Sequence, residues 1–368
     1  MRIGIITLNL GYNFGGILQA YALQTVLERM GHKVSVINFP YRRRSPLWKM
    51  PFKIVKRILK KLLINRNTRI LEERWWNRNY PIIASNTLKF VKRYVHRHIV
   101  KDMSEIKEGQ FDGFVVGSDQ VWRTVYYGGD IRDAYLRFAE GWNVKRVAYA
   151  PSFGKDTWSY TKEQTEDCAR LLNLFDAVSV REVSGVRLIK EYLGVDAEHV
   201  LDPTLLLKKE DYIKLFEAYH TPKSKGTLLD YILDAAPEKT RLVETIARER
   251  GLVSFHVNSR FLEAGTPKEE TIQPPVEEWL RGFYDSSYVV TDSFHACVFS
   301  IIFNKPFLAL GNKGRGMSRF TSLLGMFGLE SRLYDGVSIP DDDIDWLSVN
   351  NKLQLLRKKS FEFLQVLG

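Results

Sequence analysis

The residues best suited to chemistry lie where apolar runs stop abruptly. Tyr288-Val289-Val290 gives way to Thr291-Asp292-Ser293-Phe294-His295, and the apolar Val298-Phe299-Ser300-Ile301-Ile302 follows. The pattern predicts a buried strand, a short polar turn, and a helix beginning at or just after His295. A histidine titrating near neutrality can give or take a proton at a reacting carbon or an attacking hydroxyl. The unpaired N–H groups of a helix start suit a phosphate or carboxylate. His295 is therefore a candidate catalytic residue, with Asp292 and Ser293 as candidate substrate contacts. The structural alternative is a capping turn, in which Asp292 or Ser293 satisfies the helix and His295 is merely half-buried.

Other strand ends offer complementary groups. Phe111–Val116 breaks at Gly117-Ser118-Asp119-Gln120-Val121-Trp122, which places Ser118 and Asp119 at a sheet edge. Asp119 could deprotonate or orient a hydroxyl, although a lone aspartate also serves as a cap. Ala177–Val180 ends at Arg181-Glu182. The planar fork of Arg181 would match a carboxylate or phosphate. Arg315 and Arg319, in Gly314-Arg315-Gly316-Met317-Ser318-Arg319, are further cations whose alternative is a surface ion pair. Near the start, Asn9-Leu10-Gly11-Tyr12-Asn13-Phe14-Gly15-Gly16 precedes a helix. Gly15 and Gly16 allow a close backbone approach, and Asn13 and Gln19 could add polar contacts. The turn matches neither GxGxxG nor a Walker A sequence, so no nucleotide follows from it.

The elements that must position these residues alternate between strand and helix. Strands are expected at Ile3–Leu8, Val34–Asn38, Phe111–Val116, Arg146–Ala150, Ala177–Val180 and Val200-Leu201, the last meeting Asp202-Pro203-Thr204. Residues 41–110 read as a helical, basic insert. The charged, turn-rich stretch 208–226 reads as a linker. A second set follows, with strands at Thr227–Leu233, Val253–Val257 and Tyr288–Thr291, helices at Pro237–Arg250 and Val276–Tyr284, and a helical segment near Trp346–Leu367. The expectation is two Rossmann-like domains facing a cleft, at residues 1–207 and 227–340, closed by a C-terminal helix at 341–368.

A 368-residue chain suits two domains. Cys168 and Cys297 are far apart and lie in no CxxC or Cys/His cluster, so neither a disulfide framework nor a structural zinc is expected. The first apolar run is too short for a signal peptide, and a cytoplasmic location is the expectation. The net charge of +11 is local: Arg42 to Arg69 holds eleven basic residues and no acid, and charge balances elsewhere. Trp48, Phe52, Val55, Leu59, Leu62 and Leu63 fall on one helical face of this segment, with Lys53, Lys56, Arg57, Lys60 and Lys61 between them. Such a stretch suits an anionic membrane surface, the alternative being a helix packed on its own domain. No nucleic-acid-binding motif accompanies the charge.

Taken together, these stretches resemble the polysaccharide pyruvyl transferase family. The matching pieces are Gly15-Gly16-Ile17-Leu18-Gln19-Ala20-Tyr21-Ala22-Leu23-Gln24, Gly117-Ser118-Asp119-Gln120-Val121-Trp122, Ala148-Tyr149-Ala150-Pro151-Ser152-Phe153-Gly154, Val178-Ser179-Val180-Arg181-Glu182, Asp202-Pro203-Thr204 and Thr291-Asp292-Ser293-Phe294-His295 with Asn304-Lys305-Pro306-Phe307. Family members often carry Gly-Thr where this chain has Ala296-Cys297. The resemblance implies a glycosyltransferase-B-like fold and transfer of a pyruvyl group from phosphoenolpyruvate to two hydroxyls of a sugar, giving a cyclic ketal and phosphate. It places the family's functional histidine on His295 and its functional arginine on Arg181. It implies phosphoenolpyruvate as donor substrate and a sugar acceptor that is often polyprenyl-linked at the cytoplasmic membrane face. No step of that chemistry requires a metal, the sequence shows no ligand cluster, and no cofactor is expected. The rival readings are a nucleotide-sugar glycosyltransferase of the same architecture and a non-catalytic carbohydrate-binding protein.

Overall fold

The computed structural model describes the chain except for residues 41–46, 65–67, 261–264, 312–315 and 342. Two all-parallel sheets organise it. The first has seven strands, β1 (Arg2–Ile6), β2 (Lys33–Asn38), β3 (Arg97–Ile99), β4 (Gly113–Val116), β5 (Lys145–Ala148), β6 (Ala177–Val180) and β7 (Glu198–His199), in the order β3-β2-β1-β4-β5-β6-β7. The second has four, β8 (Leu228–Tyr231), β9 (Ser254–Phe255), β10 (Tyr288–Thr291) and β11 (Phe307–Ala309), in the order β11-β10-β8-β9. Parallel pairing requires crossovers, supplied by α1 (Phe14–Arg29), α2 (Met50–Leu63), α3 (Glu72–Ile83), α4 (Ser85–Tyr94), α5 (Lys162–Leu172) and α6 (Val183–Leu188) in the first half. The second half contributes α7 (Lys209–Ala218), α8 (Pro237–Glu249), α9 (Val276–Asp285), α10 (Phe294–Ile302), α11 (Ser318–Phe327) and α12 (Trp346–Leu364). The expected architecture of two Rossmann-like α/β halves is what the chain adopts.

Each sheet reverses its strand order once. In the first, β1 pairs with β2 on one side and β4 on the other, through Ile3 opposite both Val34 and Gly113. In the second, β10 and β8 are neighbours, with Val290 opposite Asp230. These reversals open crevices at the carboxyl ends of the strands, where ligands of open α/β sheets bind. The largest apolar cluster runs through both halves: Phe14 of α1 stacks on Trp279 of α9 with ring centroids 5.6 Å apart. The C-terminal α12 returns to the first half, where the Ser360 hydroxyl accepts from the Leu201 N–H at 3.1 Å and Arg357 donates to the Leu207 carbonyl at 2.6 Å.

Several boundaries differ from the sequence expectation. The stretch 208–226 is not mainly a turn-rich linker, because Lys209–Ala218 forms α7 and buries Tyr212, Leu215 and Phe216. Its charges are the solvent face of that helix. The insert is helical as expected but also contributes the edge strand β3. The last strand of the first sheet lies at Glu198–His199, just ahead of the expected Val200-Leu201.

Candidate active site

The sequence after β10 and the glycine turn after β1 meet in space. Thr291 donates to the Tyr231 carbonyl at 2.6 Å and accepts from the Ser293 N–H at 3.0 Å, which fixes the turn. The capping alternative does not hold here: Ser293 is the N-cap residue of α10 but makes no side-chain cap bond. Asp292 points to the loop after β8, accepting from the Leu233 N–H (2.7 Å), the Asp234 N–H (3.1 Å) and Lys239 Nζ (2.6 Å). The first turn of α10 therefore presents His295 and N–H groups that neither side chain caps.

His295 lies against the first turn of α1. A Cβ built on Gly15 would fall 2.1 Å from His295 Nδ1 and 2.8 Å from its Cβ, so only glycine lets the imidazole sit there. Gly16 has more room, since its Cβ would stand 3.6 Å from Asp119 Oδ2, an ordinary contact. Two helix starts thus converge on one histidine, each contributing partial positive charge.

Facing this junction is a buried chain of charges. Arg181 is 1% exposed, with one terminal nitrogen 2.7 Å from Asp202 Oδ2 and the other 2.8 Å from Asp119 Oδ1. His295 Nε2 lies 3.7 Å from the same Asp202 oxygen. Thr204 donates twice to the other Asp202 oxygen, through its hydroxyl at 2.6 Å and its N–H at 3.0 Å. Burial alone would raise both carboxyls, but His295 and Arg181 hold Asp202 well below the usual carboxylate range, and Arg181, His295 and Arg319 lower Asp119. Asp119 itself adopts a left-handed backbone, φ 60°, a conformation that aspartate tolerates better than most residues. The guanidinium of Arg181 lies 4.5 Å from the Phe294 ring centroid, and that of Arg319 lies 5.6 Å from the same ring. Burial and the neighbouring Arg181 push the Arg319 guanidinium down to about 10, so it stays cationic at neutral pH.

Glu182 completes the cluster. Its Oε1 accepts from the Ser152 hydroxyl and the Phe153 N–H, both at 2.9 Å, while Oε2 is buried with no partner among the described residues. Burial pushes its carboxyl up against the pull of Arg181.

The sequence candidates divide accordingly. His295, Arg181, Asp119, Gly15, Gly16 and Arg319 gather at one place. Arg181 does not offer an open fork, because its two terminal nitrogens bind Asp119 and Asp202 and thereby hold those carboxylates in position. Gln19 and Ser118 are fully buried and clasp α1 to the loop after β4: Gln19 donates to Thr7 Oγ1 (3.0 Å) and the Gly16 carbonyl (2.9 Å) and accepts from the Ser118 N–H (3.0 Å). Asn13 is exposed and caps α1 through Gly16 N–H at 3.3 Å. Asp292 faces Lys239 rather than the cluster. Arg315 lies outside the described residues, as do Arg42, Arg43, Arg44 and Arg66 of the basic segment. Asp202 and Glu182 were visible as motif residues, yet their roles were missed because Asp-Pro-Thr and Arg-Glu also read as ordinary cap and ion-pair sequences.

The basic helix α2 buries none of its residues. Trp48, Phe52, Leu62 and Leu63 are each more than two-thirds exposed, and Val55 and Leu59 more than half. Lys53 and Arg57, grouped by sequence with the outward cations, turn the other way: Arg57 binds Glu73 of α3 at 2.6 Å, and Lys53 lies 3.6 Å from it. Among the described residues, no helix is long and apolar enough to cross a membrane.

Comparison with known proteins adds a sequence relationship. The family model described as polysaccharide pyruvyl transferase matches residues 13–314. No curated protein matches the chain in sequence. Among solved structures, Arabidopsis thaliana UGT89C1 complexed with UDP-L-rhamnose aligns at 10% identity over 98% of this chain and 94% of its own, with a TM-score of 0.47. The UDP-GlcNAc 2-epimerase from Neisseria meningitidis bound to UDP-GlcNAc aligns at 11% identity over 100% and 94%, with a TM-score of 0.45.

Proposed function

The chain belongs to the polysaccharide pyruvyl transferase family, and from that premise we propose that it moves a pyruvyl group from phosphoenolpyruvate onto two hydroxyls of a sugar. One hydroxyl adds across the enol double bond, its oxygen to the central carbon and a proton to the methylene, which becomes the ketal methyl. The second hydroxyl oxygen displaces phosphate from the same carbon, and phosphate takes up its proton. The observation that best supports this reading is His295 held between two helix starts, 3.7 Å from the Asp202 carboxylate. A donor with a carboxylate and a phosphate suits the N–H groups of those starts together with the cationic Arg319. His295 handles the proton at the methylene or hydroxyl, Asp119 orients an acceptor hydroxyl, and Arg181 keeps both aspartates in place.

In the same reading the acceptor is carried on a polyprenyl lipid, and the protein meets it at the inner face of the cytoplasmic membrane. The bare apolar face of α2, flanked by Lys56, Lys60 and Lys61, supports attachment to an anionic bilayer. The test of the transfer is direct. Purified protein with phosphoenolpyruvate and lipid-linked saccharides from its own host should release phosphate in proportion to ketal formed. Sugar transfer from a nucleotide sugar, with no phosphate released from phosphoenolpyruvate, would favour a glycosyltransferase instead.

A further inference from the structure

A groove of about 1200 Å³ runs along the carboxyl edge of the seven-stranded sheet. The loops after β1, β2, β3 and β4 line it, and α2 and α3 form its outer wall. Thr7, in its lining, links the groove wall to the cluster: its hydroxyl donates to the Ser118 carbonyl at 3.1 Å, one residue before Asp119. We propose that this groove binds an uncharged oligosaccharide and lays its reacting sugar toward Asp119. That the sugar nearest Asp119 is the one that reacts rests on the transfer reading above; saccharide recognition in the groove stands on its own observations.

Size, charge and hydrogen bonding agree. Small-molecule pockets occupy roughly 300–1,000 Å³, so a three-carbon phosphate donor would leave most of this volume empty. The wall carries three lysine or arginine side chains against four carboxylates, and Arg57 is already bonded to Glu73, so the lining does not select an anion. Asn9, in the wall, has a buried side-chain oxygen with no hydrogen-bond partner among the described residues. That oxygen needs a donor. Ionised carboxylates and phosphates bring acceptors, whereas sugar hydroxyls bring donors. Phe39 and Tyr126 add rigid aromatic surface; Tyr126 is 42% exposed and backed by the Arg123 guanidinium 4.6 Å from its ring centroid. Aromatic walls with a few placed polar groups are how proteins hold partly apolar ligands such as pyranose rings.

Gly128 gives a clean test. It lines the groove, its backbone is not left-handed, and a Cβ there meets nothing within 4 Å, so the backbone accepts a side chain at this position and Gly128→Trp adds a bulky ring at the groove wall. The wild type, Gly128→Trp and Asn9→Ala are applied to immobilised hexose and N-acetylhexosamine oligosaccharides of two to six units. Phosphoenolpyruvate is added to each in a parallel thermal-shift measurement. The wild type should be retained on at least one glycan, Gly128→Trp should lose retention, and Asn9→Ala should weaken it roughly tenfold, the scale of one lost hydrogen bond. The phosphoenolpyruvate shift should be the same in all three. Equal retention of wild type and Gly128→Trp, or no retention of the wild type on any glycan, overturns the assignment. Glycan binding that follows the groove with no phosphoenolpyruvate shift in any protein upholds the groove and sinks the donor reading instead.

Discussion

Arg181 and His295 are neighbours with different consequences when removed. Arg181 neutralises two buried carboxylates, and breaking such a network costs about 3–5 kcal/mol, a large share of the roughly 5–15 kcal/mol that holds a domain folded. An inactive Arg181→Ala protein would thus report lost structure as readily as lost chemistry. His295 makes no comparably short ion pair, so its removal is the cleaner test of the proposed chemistry. Glu182 offers a separate test of the cluster's electrostatics. Its folded carboxyl is raised above the value of about 4.3 for an unfolded chain. The protonated form is therefore favoured by folding, and wild-type stability declines as pH rises through that raised value. Glu182→Gln keeps an acceptor for Ser152 and does not titrate. Its melting temperature relative to wild type should show no gain near pH 4 and a gain that widens toward pH 8; a gap independent of pH would contradict the assignment. At this scale the sequence was readable in part. His295 and Asp119 stood out because each follows an apolar strand. Asp202 was obscured because its other oxygen does cap Thr204, as an Asp-Pro-Thr turn predicts.

Helix starts and a helix face carry the next level. Gly15 matters because the imidazole occupies the place of its missing side chain. Gly15→Ala forces His295 or α1 to shift, at a cost typical of overpacking, about 1–3 kcal/mol. We expect a folded protein with turnover reduced by at least tenfold, while Gly16→Ala, whose Cβ meets only ordinary contacts, stays close to wild type. Equal effects of the two substitutions would refute the close approach. For α2, flotation with anionic vesicles is the measurement. Lys56, Lys60 and Lys61 changed together to glutamine should remove roughly 3 kcal/mol of attraction, more than a hundredfold in partitioning. Phe52, Leu59 and Leu63 changed to serine should also release the protein, and added salt should weaken the wild type. Unaltered flotation of both variants would contradict a membrane role. The amphipathic period of α2 was plain in the sequence; which cations turned inward was not, because their partners Glu72 and Glu73 lie beyond the segment. The linker expectation over 208–226 failed for a related reason. Tyr212, Leu215 and Phe216 carried a helical period, but the surrounding lysines and glutamates made the stretch look solvated throughout.

At the scale of the molecule, two sheets present their strand-order reversals to one another, and the charge cluster sits where they meet. Most strands were legible because their apolar runs end in polar residues; the edge strand β3, short and set in the basic insert, was not. Their order was not, since pairing between β1 and β4 spans more than a hundred residues and leaves no local signal. The return of α12 to the first half was equally hidden; it locks the Asp202 loop through Ser360 and Leu201. The central claim is that this junction performs pyruvyl transfer with His295 handling the proton. Mass spectrometry of the saccharide acceptor after incubation with phosphoenolpyruvate in deuterated water tests it most directly. The account predicts that wild-type protein adds one pyruvyl ketal whose methyl carries a solvent deuterium, and that folded His295→Ala forms the product about two to four orders of magnitude more slowly. A ketal formed at the same rate by both proteins, or no pyruvyl increment from the wild type with its own host's acceptors, would contradict it.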